Sequence, residues 1–488
     1  MATLLVRNGH LLDPDLPFEP ADVLVDQGRI ARIGRDLGRA DRIVDATGRV
    51  VMPGLINTHT HGVQILDRGM GDGLTLDQWG VFGAFGAQPL SPRDLYALTA
   101  WNALTLLRGG CTAVMDVSGP TAIFDDGIDA IMQAHLDTGI RATVALTLVD
   151  MDFYRTLPPS LMGGEPLPTM PFTRPDAAFH LAAARRFLTA WQARSPRVQP
   201  ALGPSAPQRL TDALLAGCFA LSEEFDASVH THLLEARSQW FACRERFGMS
   251  AIAYLDRRGW LGPRLSGAHG VWLEHEDMRL LAERGSPLSH DPISNLRLGS
   301  GIANVQRLRA AGVRVGIGTD GAASNDGQNM WEALKLTALL HRAYGRREDW
   351  VTAADALRMC FDGGAAILRR PIGSIRAGHE ADLAVLGGRD LFLLPKERMM
   401  ASLVLGELGG SVGTVIVAGT VVVEDRRSTK VDEATLRAEV AAIVERTASF
   451  SAVRAQGYAE GRERLDRMLA AIEASEDGPP GVVIPGRP

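Results

Sequence analysis

The sequence predicts an α/β protein: a TIM-type (β/α)8 barrel carrying a small β-sandwich built from both ends of the chain. Three observations support that expectation. Strand-like and helix-like segments alternate through the middle of the chain, the pattern of parallel β/α units. Eight strand-like runs can be counted there, the number that closes such a barrel. Short strands punctuated by glycine occupy both flanks, and neither flank is long enough to bury a core alone. The 488 residues suit this plan, since a barrel takes roughly 250 residues or more and the remainder supplies its companion.

In chain order, the N-terminal flank offers strands over 4–8, 22–26, 29–33, 42–45 and 50–52, with Gly9, Gly28 and Gly48 at the turns. The barrel strands follow at 55–61, 112–117, 142–148, 198–202, 228–233, 265–269, 287–290 and 313–319. Amphipathic stretches at 92–108, 177–194, 210–225, 250–258, 276–284 and 305–311 supply connecting helices. The β texture returns at 382–386, 412–417 and 420–423. Domain bounds of 1–52 with 376–430 (sandwich), 53–375 (barrel) and 431–488 (C-terminal helices and a flexible tail) follow. Residues 431–473 have helical spacing and are expected to dock on the barrel or a partner subunit; the Pro- and Gly-rich run from Glu476 to Pro488 reads as a loosely held tail. Two insertions, 62–90 with Trp79, Phe82 and Phe85, and 150–175, would rise over the C-terminal mouth of the barrel as pocket walls or as plain surface loops.

Composition narrows the function class. With 51 basic and 57 acidic residues intermixed and a net charge of −6, no basic face for nucleic acid is expected. No apolar run reaches membrane-spanning length, and the N-terminus lacks a signal-like pattern. Four scattered cysteines, Cys111, Cys218, Cys243 and Cys360, suggest neither a disulfide framework nor a cysteine metal site. A cytoplasmic, homo-oligomeric protein (dimer or tetramer) acting on a small molecule is the expectation.

The chemistry gathers at strand ends. His59 and His61, two apart on the first strand, share a face and converge. Neutral imidazole is a preferred ligand of zinc and of iron(II), but the pair alone is weak evidence. Others sit at the corresponding ends of later strands: His230 and His232 on the fifth, His269 on the sixth, His290 on the seventh and Asp320 after the eighth. The remaining histidines fall in helices or turns and read as packing or surface residues.

The motifs are Pro53-Gly54-Leu55-Ile56-Asn57-Thr58-His59-Thr60-His61, His230-Thr231-His232-Leu233-Leu234-Glu235, Ser289-His290-Asp291-Pro292 and Gly318-Thr319-Asp320-Gly321-Ala322-Ala323-Ser324-Asn325. With Ala377 to Val385, they make the chain resemble the amidohydrolase superfamily from about residue 3 to 425, in its cytosine deaminase, S-adenosylhomocysteine deaminase and triazine hydrolase branch. The resemblance implies metal ligands His59, His61, His232 and Asp320. His232 is preferred to His230 on the His-x-x-Glu pattern, because strand geometry leaves both open. It also implies Glu235 as proton shuttle, and His269 against the metal's water or the substrate. One divalent metal, Zn2+ or else Fe2+, would supply hydroxide near neutral pH for attack on an amino-substituted ring or amidine carbon, with release of ammonia. Trp79, Ser205, His290, Asp291 and Asn325 are the candidate substrate contacts.

One absence and two departures refine this reading. The only lysines are Lys335, Lys396 and Lys430, none on a barrel strand, so a carboxylated-lysine bridge between two metals is impossible and a mononuclear deaminase is favoured. After the fourth strand, Gly203-Pro204-Ser205-Ala206-Pro207 lacks the imidazole of the S-adenosylhomocysteine group, which puts an adenosine-type ligand in doubt. Asp291 replaces the usual Asn; facing the pocket it would favour a cationic ligand, and otherwise it would cap a turn or the next helix. The rival activity expels alkylamine or halide from a triazine, or cleaves an acyclic C–N bond. A non-catalytic scaffold would be missing ligands or the acid, and none is missing.

Overall fold

The computed structural model describes residues 2–84, 90–124, 126–163, 174–343, 346–387 and 395–479. Expectations for Phe85, for residues 164–173 of the second insertion and for the tail from residue 480 lie outside the described residues.

Among them, eight parallel strands form one sheet in sequence order: Leu55–Thr60, Cys111–Val117, Arg141–Leu148, Val198–Pro204, Val229–Leu233, Leu265–His269, Leu288–His290 and Val315–Ile317. The seam between first and last is joined largely by side chains. The Asn57 amide donates to Thr319 Oγ1 (2.7 Å) and accepts from the Thr319 N–H (3.0 Å), while the Asp320 N–H donates to the His59 carbonyl (2.9 Å). Closure and site are therefore built at one place. The helices obey local rules: Pro92–Arg108 begins at a capping box in which Ser91 and Asp94 satisfy each other's N–H groups, with proline in the first turn.

Strands from the two chain ends form two blocks of a second, nine-stranded mixed sheet, joined where Val50–Pro53 pairs antiparallel with Leu383–Leu386. Its own core joins Leu4, Val6 and Val25 to Ile375, Leu383 and Ile416. The Arg141 guanidinium, buried on the third barrel strand, binds Asp382 through Nε (2.6 Å) and Nη2 (3.0 Å) and also pairs with Glu380. Removing either side would strand a buried charge, so this bridge fixes the sheet against the barrel.

Two helices close the chain, Glu433–Thr447 and Phe450–Ala474. The first lays Leu436 and Ile443 on Leu98 and Leu104 of the barrel's own helix. The second packs Tyr458, Leu465 and Met468 on Val81, Phe153 and Tyr154, and thus covers the described parts of both insertions. No helix among the described residues is long and apolar enough to cross a membrane.

Candidate metal centre

The first and fifth strands deliver three imidazoles to one point. The Nε2 atoms of His61 and His232 lie 3.3 Å apart, and Asp320 Oδ1 lies 3.5 Å from His59 Nε2 and 3.4 Å from His61 Nε2. A tetrahedral zinc with ligands at about 2.0–2.1 Å has ligand–ligand edges of roughly 3.3–3.4 Å. The ligating atoms of His59, His61 and His232 all fall within 4.8 Å of one another, as do those of His59, His269 and Asp320. Among the described residues, His59 Nε2 and His269 Nε2 are buried without a hydrogen-bond partner. Buried polar atoms are ordinarily satisfied, so this donor set fits a divalent cation.

The far side of each ring fixes its tautomer. His61 Nδ1 donates to the Val117 carbonyl (2.9 Å) and His232 Nδ1 to the Ser205 carbonyl (2.5 Å), which leaves both Nε2 lone pairs directed inward. His59 Nδ1 meets His230 Nε2 at 2.9 Å, and His230 Nδ1 meets Ser266 Oγ at 2.8 Å. One proton placement satisfies the chain: His59 donates to His230, and His230 donates to Ser266. His230 thus stands behind His59, a layer below the cluster. Burial holds the pKa values of His61, His230 and His232 below the usual imidazole range, so these rings are neutral donors.

Asp320 is held from several sides. Ser294 Oγ (2.6 Å) and Ser324 Oγ (2.9 Å) donate to Oδ2, and the Gly321 N–H donates to Oδ1 (2.6 Å). Burial alone would raise its pKa, but His59 and His61 beside it hold it well below the carboxylate range. Leu234 (φ 45°), His269 (φ 72°) and Asp320 (φ 58°) all take left-handed backbone at strand ends. That conformation costs non-glycine residues, and it turns these side chains at the rim where a continuing strand would not.

Glu235 lies just beyond the fifth strand, buried, with Oε2 3.6 Å from His269 Nε2. Burial, and then the charge of Asp320, push its carboxyl well above the usual range, so it carries a proton. Arg209 stands on its other side. It ends the short turn Pro207–Arg209 that follows Ser205 and stacks on Phe153, 4.9 Å from ring centroid to guanidinium carbon. Asp77, buried and bonded to Ser238 Oγ (2.9 Å), completes this wall. No motif marks Arg209 or Asp77 in the sequence, and only the folded loops bring them together.

The other sequence candidates divide. Trp79 packs with Leu76, Ala236 and Leu298 above the site. Ser205 acts through its carbonyl on His232. Asp291 is fully buried; its carboxylate accepts from the His269 N–H (3.1 Å) and from Ser289 Oγ (3.1 Å), so it neither lines the open pocket nor makes a side-chain cap to the following helix. Asn325 uses its amide on the Thr319 carbonyl (2.8 Å). His290 is buried 6.0 Å from the His341 ring, with both nitrogens unpartnered.

This geometry agrees with what the chain is similar to. Residues 50–422 match the model of the amidohydrolase family. The chain belongs to that family. A 5'-deoxyadenosine deaminase of Methanosarcina mazei is 32% identical over 439 residues, covering 89% of this chain and 95% of that protein. A 5-methylthioadenosine/S-adenosylhomocysteine deaminase of Desulforudis audaxviator is 34% identical over 442 residues, covering 89% and 96%. Among solved structures, a zinc complex of the atrazine chlorohydrolase of Arthrobacter aurescens superposes with a TM-score of 0.81 at 28% identity, covering 90% of this chain and 100% of that one. A zinc-bound adenosine deaminase of Xanthomonas campestris gives 0.81 at 27%, covering 91% and 98%. As an amidohydrolase, the chain is a hydrolase acting on C–N bonds outside peptides.

Proposed function

We propose that this amidohydrolase is a zinc-dependent aminohydrolase that removes ammonia from an amino-substituted ring or amidine carbon of an N-heterocycle, with His59, His61, His232 and Asp320 holding one metal ion. The observation that carries the reading is the convergence of three inward Nε2 atoms and one anionic oxygen beside a proton-bearing acid, Glu235. A divalent cation held there supplies Lewis acidity and an acidified water.

The protein's own groups do the rest. Glu235 delivers its proton to the ring nitrogen beside the attacked carbon, which makes that carbon electrophilic. Asp320, with Oδ2 held by two serine hydroxyls and Oδ1 by the Gly321 N–H, faces the cluster with the remaining side of Oδ1 and can accept a proton from the attacking water there. Asp320 hands that proton to the amino group, which leaves as ammonia, and the hydroxyl proton of the tetrahedral centre returns to Glu235; His269 Nε2, 3.6 Å from Glu235 and with its Nδ1 on Asn295 Oδ1 (3.0 Å), is placed to accept a hydrogen bond from the attacking water. The loops of the barrel rim then decide which ring reaches these groups.

The names of the sequence relatives support an adenosine derivative as substrate. Ser205, in the place of the expected imidazole, favours the second reading, in which another heterocycle is taken or a different leaving group expelled. Ammonia release from the zinc-loaded protein, measured across 5'-deoxyadenosine, S-adenosylhomocysteine, guanine, pterin, isocytosine and s-triazines, tests both. Release of amine or chloride without ammonia would give the reaction to the second reading, and inactivity on every compound would refute both.

A further inference from the structure

Arginines elsewhere in this fold are mostly spent on carboxylates or carbonyls, as Arg141 is on Asp382 and Glu380, and Arg246 on the carbonyls of Gln208 and Leu210. Arg209 is not. Among the described residues its guanidinium makes no hydrogen bond and no ion pair; its one side-chain partner is the face of Phe153. It is half-buried, between the reacting acid and the inner side of the helix Leu76–Ala84, whose Gly80 lies so close to Phe153 that an added Cβ would meet the ring at 2.6 Å. Glu235 and Asp77 are near enough for their charges to act on it, yet neither is bonded to it. Stacking holds the plane of a guanidinium and leaves its edge donors free.

A cation so placed needs an acceptor, and the described residues supply none. Its turn is anchored to the centre, since the Ser205 carbonyl that precedes it orients His232. Its charge reaches Glu235, so a substrate whose ring nitrogen meets that acid also comes within range of the guanidinium. We propose that Arg209 is a substrate-binding residue that takes an acceptor oxygen of the substrate, either a ring oxo group flanking the amidine nitrogen or a carboxylate carried by a substituent. The proposal rests on the aminohydrolase reading and names its substrate class: aminated heterocycles bearing such an oxygen. A 5'-deoxyadenosine ring, with C–H flanking that nitrogen, would leave the guanidinium unpaired, at a cost in specificity.

Binding separates this proposal from turnover. Zinc-loaded full-length Glu235→Gln protein is titrated calorimetrically with isocytosine, S-adenosylhomocysteine and 5'-deoxyadenosine, with and without Arg209→Gln. Loss of about 10- to 100-fold in affinity, the scale of a hydrogen bond to a charged group, is expected for isocytosine if the oxygen is a ring oxo, or for S-adenosylhomocysteine if it is a carboxylate. Affinity for 5'-deoxyadenosine stays within about twofold. Should Arg209→Gln fail to fold by circular dichroism, Arg209→Lys, which keeps the charge and loses the fork, is expected to show the same selectivity at smaller size. Equal loss for all three ligands, no loss for any, or failure of both oxygen-bearing ligands to bind overturns the proposal. Absence of ammonia release by wild-type protein would strike the aminohydrolase reading instead and leave this binding pattern to be read.

Discussion

The floor and the rim of the site are held by different means. On the floor, the rings of His59, His61 and His232 each spend the outer nitrogen on a fixed partner, and Asp320 receives two serine hydroxyls and a backbone N–H. Little there can move without breaking a buried hydrogen bond. On the rim, Arg209 rests on a ring face alone, and Trp79 is positioned by apolar contact with Leu76, Ala236 and Leu298. Directional bonds fix the atoms that do chemistry, and shape fixes the atoms that choose the substrate. A rim of that kind can change its ligand without disturbing the floor, and the proteins this chain is similar to include both deaminases and a chlorohydrolase.

The sharpest test of that contrast is on the floor. His232→Ala or Asp320→Asn should abolish stoichiometric zinc, measured by atomic emission after dialysis, and reduce turnover to background. Glu235→Gln should keep zinc at one per chain and lower kcat by about 10²- to 10⁴-fold, the range for a positioned acid. The wild-type pH profile should carry the same signature: the protonated carboxyl is the active form, and burial raises its pKa, so kcat/KM should fall as pH climbs through that raised value, and Glu235→Gln should remove the limb. Behind the ligands, His230→Ala should weaken zinc affinity about 10- to 100-fold in competition with a chelator, the usual cost of an outer-shell partner. Ser266→Ala, one bond further out, should cost less. If His230→Ala leaves zinc affinity unchanged, His230 does not hold His59 in place for the metal.

Much of the floor was legible in the sequence because it lies on strands. Period-two alternation and the convergence of parallel strand ends in a barrel bring His59, His61, His232, His269 and Asp320 together before any coordinates are known. Alternation cannot rank His230 against His232, however. Two residues along a strand are roughly 6.6 Å of depth, and the structure uses it to place His230 one layer down as the partner of His59. Asp291 takes neither of the two places its sequence position leaves open, for a related reason: it follows the seventh strand at the mouth, but its carboxylate turns inward under His269. Helix Arg237–Phe247 escaped the periodicity reading because its polar start, Arg237, Ser238 and Gln239, is itself buried. The rim was legible only in outline, as two insertions and Trp79, because Arg209, Phe153 and Asp77 come from three separate connections that no motif links, with Phe153 packed under the C-terminal helix.

The smallest expected effect tests whether shape really positions the rim. Phe153→Leu keeps an apolar side chain of similar bulk and removes the π face under Arg209. A cation–π contact of this exposure is worth about 0.5–2 kcal/mol, so KM for an oxygen-bearing substrate should rise roughly 2- to 30-fold while zinc content and kcat stay level. Because the charge remains and only its orientation loosens, the rise should be smaller than that caused by Arg209→Gln. In the double variant Phe153→Leu with Arg209→Gln, the Phe153 effect should vanish, since a ring that acts by aiming the guanidinium has nothing left to aim. Additive losses would instead mean that Phe153 touches the substrate itself, and the rim would then be an apolar wall with an arginine beside it.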